Sequence, residues 1–365
     1  ESAARLAEIA ARLAAEAERN RLVAAARKIA APPAPVRPAG LLDRFGTWLR
    51  SPASTRSETK EAGTAAPRPG SQAHFAVARA YLAALSSEAP PNGIQPFLSK
   101  GLIRIDHPHR FLDRATTSDL EGALRARARD SETFWTQTFE LKGAAGGGSR
   151  VAMEVAWSAL VRADRPPFLC GQELEAQLAI FLTFDEGCIV RQHVYACYEP
   201  WSNQSDENGS LPSVLHPGLR PLFKAAQAPT IGLEFDIARS YLAALNAGAG
   251  PEDVAAFFAP DAIQEEFPNR FAPAGARRTR DEVKQARAHT RDLLKSEHYD
   301  LRGATGGGSQ VAMEIRWSAV VGMSAGPFTA GQKLEGNFAV FLKFRDGLIV
   351  RQRNYCCLAE ARSGV

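Results

Sequence analysis

The sequence predicts an α+β protein that contains the same domain twice. Two observations carry this. Residues 76 to 200 realign with residues 236 to 360 at a constant offset of 160 and without a gap. Tyr81-Leu-Ala-Ala-Leu returns as Tyr241-Leu-Ala-Ala-Leu, Gly146-Gly-Gly-Ser as Gly306-Gly-Gly-Ser, and Ile189-Val-Arg-Gln as Ile349-Val-Arg-Gln. A match held in register over that length marks duplication of a whole folding unit rather than a short-period solenoid. Within each copy, helical periodicity comes first and alternating apolar runs follow, the order expected of helices packed on a mostly antiparallel sheet.

Residues 2 to 31 are rich in Ala, Glu and Arg, with Leu6, Ile9, Leu13, Leu22, Val23, Ala26 and Ile29 at helical spacing, and Pro32-Pro33 ends the pattern. Residues 1–31 are therefore expected to form an amphipathic helix that docks on a neighbouring domain or on another protein. Residues 32–71 form a Pro/Ala/Ser-rich linker, interrupted by the amphipathic island Leu41-Leu42-Asp-Arg-Phe45-Gly-Thr-Trp48-Leu49. The first domain spans 72–200, a second linker 201–230 and the second domain 231–360.

In each copy the first helix carries one apolar face: Ala78, Tyr81, Leu82 and Leu85, then Ala238, Tyr241, Leu242 and Leu245. In the second copy Asn246-Ala-Gly248 ends that helix. Val254, Phe257 and Phe258 mark a short further helix, and a strand is expected from about Ala262. A helix over about 280 to 296 precedes extended segments at 299–304, 310–321, 334–345 and 348–357, and Arg345-Asp346-Gly347 is a hairpin turn. The Gly-Gly-Gly-Ser stretches lie between strands and lack the Lys-Ser/Thr of a phosphate loop, so they read as hairpin turns too.

Composition bounds the function. The chain has 45% hydrophobic and 8% aromatic residues, and its formal charge of +4 is not gathered into a basic block. That argues against nucleic acid as the partner. No apolar stretch is long enough to cross a bilayer and no signal-peptide core stands at the N-terminus, so a cytoplasmic location is expected. Five cysteines, at 170, 188, 197, 356 and 357, have no metal-site spacing and are expected as free thiols. No cofactor motif is present, and the expected cofactors and metals are none.

The stretches Tyr241-Leu-Ala-Ala-Leu-Asn-Ala-Gly248, Phe257-Phe-Ala-Pro-Asp261-Ala and Phe344-Arg-Asp-Gly-Leu-Ile-Val-Arg-Gln-Arg-Asn-Tyr355 resemble the SnoaL-like branch of the nuclear transport factor 2 superfamily. That branch includes ketosteroid isomerases, polyketide cyclases and limonene-epoxide hydrolases as well as noncatalytic members. The resemblance covers nearly all of both repeats and none of the first 70 residues. It implies that each copy is a curved sheet wrapped by helices into a cone with an apolar pocket, and that the copies pair as an intramolecular pseudo-dimer.

Carried over by motif, an isomerase-like site places the oxyanion donor at Tyr81 and Tyr241 and the proton-shuttling base at Asp106 and Glu266. The second donor falls near Ile180 and Val340, which are apolar, and loss of such a donor typically costs about a hundredfold or more in rate. The acid that cyclases and epoxide hydrolases place after the final-strand tyrosine is absent, because Tyr195 is followed by Ala196-Cys197 and Tyr355 by Cys356-Cys357. His107, His109, Trp157, Tyr195, Trp317, Asn354 and Tyr355 complete the candidate ligand contacts. Glu154 and Glu314 alternate with tryptophan-bearing positions and so face helices, solvent or a partner sheet. The expected function is binding of a small apolar or aromatic carbonyl compound in a conical pocket without a complete catalytic set. The alternative is isomerase- or cyclase-like proton transfer beside a carbonyl, with Glu266 or Asp106 as base and Tyr241 or Tyr81 as donor; whether the protein is an enzyme stays open.

Overall fold

A computed structural model describes residues 69–86, 91–164, 167–199 and 232–359. The expected N-terminal helix, the amphipathic island and the whole second linker lie outside the described residues. In repeat 1, α1 (Pro69–Ser86) and a 3-10 turn (Pro91–Phe97) lead to β1 (Leu98–Asp106), β2 (Thr116–Ser118), α2 (Leu120–Thr133), β3 (Phe134–Gly147), β4 (Arg150–Val161), β5 (Glu173–Asp185) and β6 (Cys188–Glu199). In repeat 2 the series is α3 (Leu233–Asn246), α4 (Pro251–Ala255), β7 (Phe258–Glu266), β8 (Ala276–Thr279), α5 (Arg280–Leu293), β9 (Leu294–Gly307), β10 (Gln310–Val321), β11 (Lys333–Arg345) and β12 (Leu348–Leu358).

Each repeat forms a six-stranded sheet, in the orders β2-β1-β6-β5-β4-β3 and β8-β7-β12-β11-β10-β9. All pairs are antiparallel except β1 with β6 and β7 with β12. The parallel pair exists because the first strand is carried back by a helix and lies beside the last. The sheets curve into two cones, paired as an intramolecular pseudo-dimer, so the α+β expectation and its pseudo-dimer arrangement hold.

Local chemistry explains the boundaries. Asp119 caps α2 by accepting the Gly122 amide at 2.8 Å, and Thr279 and Glu282 form a capping box on α5. Gly248, at φ +73°, terminates α3. Glu186-Gly187 and Asp346-Gly347 both have positive φ at two successive residues, the geometry that a tight hairpin requires. Two expectations shift. β7 starts at Phe258 rather than near Ala262, because Phe258 pairs with Ile349. β9 starts at Leu294 rather than Tyr299, because Leu294 pairs with Val321. Both extensions depend on partner strands that are distant in sequence.

The Gly-rich stretches turn β3 into β4 and β9 into β10. A Cβ on Gly306 would meet the Gln310 carbonyl oxygen at 2.5 Å and the Val311 Cα at 3.1 Å. Gly306→Ala is therefore expected to lower stability by about 1–3 kcal/mol through overpacking against backbone. Urea unfolding measures this, and an unchanged midpoint would refute it.

One face of each sheet packs on its own helices, around Tyr81, Leu82, Met153, Val155 and Trp157 in repeat 1 and Tyr241, Leu242, Met313 and Ile315 in repeat 2. The opposite faces meet each other. Ala152, Ala179, Phe181, Tyr195 and Cys197 form one core with Ala312, Ala339, Phe341, Tyr355 and Cys357. Its polar contacts are reciprocal: Tyr195 donates to Glu314 Oε1 at 3.1 Å, and Tyr355 donates to Glu154 Oε1 at 3.2 Å. Such reciprocity is the mark of a two-fold interface, here between repeats of one chain. Of the three settings left open for Glu154 and Glu314, the partner sheet is the one they face.

Candidate functional site

The cone of repeat 2 encloses a cavity of about 360 Å³ between α3, α5 and the concave face of β7–β12. Its apolar wall includes Leu242, Met313, Trp317, Phe338, Val340 and Leu358. Tyr241, Glu266 and Asn354 line the same cavity. Three sequence-separated candidates thus meet because the first helix, the first strand and the last strand of the repeat all border the cone.

The polar groups are heavily engaged. The Tyr241 hydroxyl donates to Gln352 Oε1 at 3.3 Å, and Gln352 Nε2 donates to Asn354 Oδ1 at 2.8 Å. Burial pushes the Tyr241 pKa up to about 12 against the opposing effect of the Gln352 hydrogen bond, so the phenol keeps its proton at neutral pH. Glu266 Oε1 accepts from Asn269 at 2.9 Å, and Oε2 accepts from Arg278 at 2.8 Å. Deeper in, Arg287 pairs with Glu297, which also accepts from the Tyr299 hydroxyl at 2.9 Å. The Arg278, Asn269, Gln352 and Arg287 contributions were not singled out in the sequence. Arg287 is placed by helical periodicity on α5 and Gln352 by alternation with Asn354 on β12, whereas Arg278 on β8 and Asn269 in the loop after β7 carried no such signal.

Repeat 1 places different side chains at the equivalent positions. Arg104 takes the place of Gln264 and binds Asp106 through Nε–Oδ2 at 2.9 Å and Nη2–Oδ1 at 2.8 Å. Tyr198 takes the place of Leu358 and packs edge-on against Trp157 at 5.7 Å and Phe111 at 4.8 Å. His109 lies 5.0 Å from Tyr198 and accepts the Phe111 amide at 3.2 Å. Burial lowers the His109 pKa to about 4, so the ring is a neutral packing and acceptor group. Tyr81 donates to Gln192 at 3.0 Å, as Tyr241 does to Gln352.

Three candidates lie elsewhere. His107, Tyr195 and Tyr355, expected as ligand contacts, are buried between the repeats, with the His107 ring stacked on Tyr195 at 4.0 Å. The reason is the strand period of two: Asn354 enters the cone, so Tyr355 faces away, and Asp106 and His107 divide in the same way. Trp157 and Trp317 stay on the concave side.

A family model described as a SnoaL-like domain matches residues 238–352. The second repeat is a SnoaL-like domain. The SnoaL-like repeat has its counterpart in repeat 1, which follows the same strand order. Solved structures similar to the chain include a candidate polyketide cyclase from Xanthomonas campestris pv. campestris, at 23% identity over 34% of this chain and 89% of that one, TM-score 0.30. A protein with a ketosteroid isomerase-like fold from Catenulispora acidiphila, in complex with trimethylamine, is 21% identical over 33% of this chain and 84% of that one, TM-score 0.28. An epoxide hydrolase of the LEH-like type from M. tuberculosis is 14% identical over 34% and 82%, TM-score 0.28. No curated protein matches the chain significantly. No described helix is long and apolar enough to cross a membrane.

Proposed function

We propose that the SnoaL-like repeat 2 binds a small, mostly apolar or aromatic molecule bearing a carbonyl or phenol oxygen, and that repeat 1 serves as its structural partner. The observation that carries this reading is the contrast between the cones. Repeat 2 holds a cavity of about 360 Å³ with Tyr241, Asn354 and Glu266 on its wall. In repeat 1 Tyr198 occupies the position of Leu358 among Trp157, Phe111 and His109. A cavity of that size suits a ligand of a few rings at most, and the few polar groups orient it within apolar walls.

The shared cavity of Tyr241 and Glu266 favours one second reading, proton transfer beside a carbonyl. Binding without turnover has the better support. Both Glu266 oxygens already accept hydrogen bonds, the Tyr241 proton is directed to Gln352, and Val340 supplies no second oxyanion donor.

A thermal-shift panel of planar ketones, phenols and polyketide-like aromatics tests the proposal. A ligand at one hundred times its dissociation constant adds about 2.7 kcal/mol. Tyr241→Phe should weaken the best ligand by roughly fivefold, the equivalent of one hydrogen bond of about 1 kcal/mol, while Tyr81→Phe leaves it unchanged. A panel without any shift, or equal sensitivity to both substitutions, would refute repeat 2 as the binding copy. If turnover is detected, Glu266→Gln should lower it by about a hundredfold or more with the ligand shift retained, as loss of a general base does; undiminished turnover removes Glu266 from that role.

A further inference from the structure

The interface between the repeats holds a second constellation that the cone does not use. His107 follows β1, His193 lies on β6, and Glu314 reaches in from β10 of the other repeat. One ligand atom from each lies within 4.8 Å of the other two. His107 and Glu314 are only 6% and 3% exposed. Neither ring nitrogen of His107 has a hydrogen-bond partner. His193 Nδ1 pairs with Glu314 Oε1 at 2.6 Å. Two His107 nitrogens that lack partners, beside a buried carboxylate, are costly in a folded core, since buried polar groups are almost always paired.

The pseudo-two-fold provides an internal contrast. Around Glu154, the counterpart of Glu314, Arg353 stands where His193 would be and binds Glu154 Oε2 at 2.7 Å, while Phe267 stands where His107 would be. That site is complete as an ion pair. The Glu314 site instead has its arginine in a different place: Arg150 Nη2 contacts Glu314 Oε2 at 2.5 Å, at a position that is Gln310 in repeat 2. Glu314 is thus held by Arg150 and His193, while both ring nitrogens of the adjacent His107 stay unpaired.

We propose that His107, His193 and Glu314 form a site for a divalent transition-metal ion of the Zn²⁺ type, which clips the two repeats together. Two imidazoles and one carboxylate are a donor set such ions accept, with bonds of about 2.0–2.2 Å, so ligand atoms must close to about 4 Å or less of one another; small side-chain rotations suffice. Tyr195, which donates to Glu314 at 3.1 Å, and Arg150 hold the carboxylate from behind. The ion and Arg150 compete, because both positive charges draw on the same carboxylate. The site was hidden in the sequence because its three residues, one just after β1, one on β6 and one on β10, come from distant parts of two repeats.

The test uses the full chain stripped with EDTA. Co²⁺ titration followed by visible absorption should show one saturable site with low-coordinate d–d bands, and Zn²⁺ should displace it; Mg²⁺ should not. His107→Phe with His193→Arg installs the pair found around Glu154 and should abolish the bands while the fold, read by far-UV circular dichroism, is retained. Arg150→Gln, the residue repeat 2 carries, should tighten Zn²⁺ at least tenfold. The proposal is overturned by absence of the bands in the wild type, by a thiolate charge-transfer band marking capture by cysteine, by bands that survive the double substitution, or by Arg150→Gln that leaves affinity unchanged or weaker. If the double variant does not fold, the wild-type spectrum and the Arg150→Gln affinity decide.

Discussion

Arg353→Met is expected to lower the unfolding free energy by about 3–5 kcal/mol at neutral pH, the usual cost of stranding one member of a buried ion pair. Glu154 is 6% exposed on the face shared by the repeats. It accepts from Arg353 at 2.7 Å and Tyr355 at 3.2 Å. Burial raises the Glu154 pKa even with Arg353 in place, because desolvation outweighs the attraction. The sign follows. A carboxyl whose folded pKa lies above its unfolded value gains stability below the unfolded pKa and loses it as pH rises through the folded one. Methionine removes the opposing guanidinium, raises that pKa further and enlarges the loss on the alkaline side. The deficit of the variant should therefore shrink as pH falls. Urea unfolding at two pH values measures both the size and the trend. Glu154→Gln combined with Arg353→Met should recover part of the loss, since no unpaired charge remains. A deficit below about 1 kcal/mol would place this contact among ordinary surface pairs.

Leu358→Tyr should abolish ligand binding by repeat 2. Leu358 lines the cavity, and its counterpart Tyr198 occupies the corresponding space in repeat 1 with its ring 5.7 Å from Trp157. The sequence of repeat 1 thus shows that a tyrosine is accommodated at this strand position. In repeat 2 the cost of the larger side chain is expected to stay within about 1–3 kcal/mol. The thermal-shift response to the best ligand should disappear, a loss of at least tenfold in affinity. A full response in Leu358→Tyr would mean that ligands bind outside the cone. The converse exchange, Tyr198→Leu, should enlarge the first cone at the cost of the Trp157, Phe111 and His109 contacts. It tests whether one side chain accounts for the difference between the copies.

Much of this molecule was legible from residues alone, for a physical reason. Duplication, helix periodicity at Tyr81 and Tyr241, alternation along 310–321 and the Asp346-Gly347 turn are local patterns, set by the geometry of one element at a time. They determined two α+β units of the same fold, and motif resemblance paired Tyr241 with Glu266 as donor and base before any contact was known. What only tertiary structure decided is which face of each strand meets what. Adjacent residues point to opposite sides, so Asn354 enters a cavity while Tyr355 seals the interface, and Asp106 and His107 part company in the same way. The lining of the two cones also differs at positions far along the chain, such as Leu358 against Tyr198. The grouping of His107, His193 and Glu314 required two sheets to pack face to face, a long-range event with no local signature in the chain.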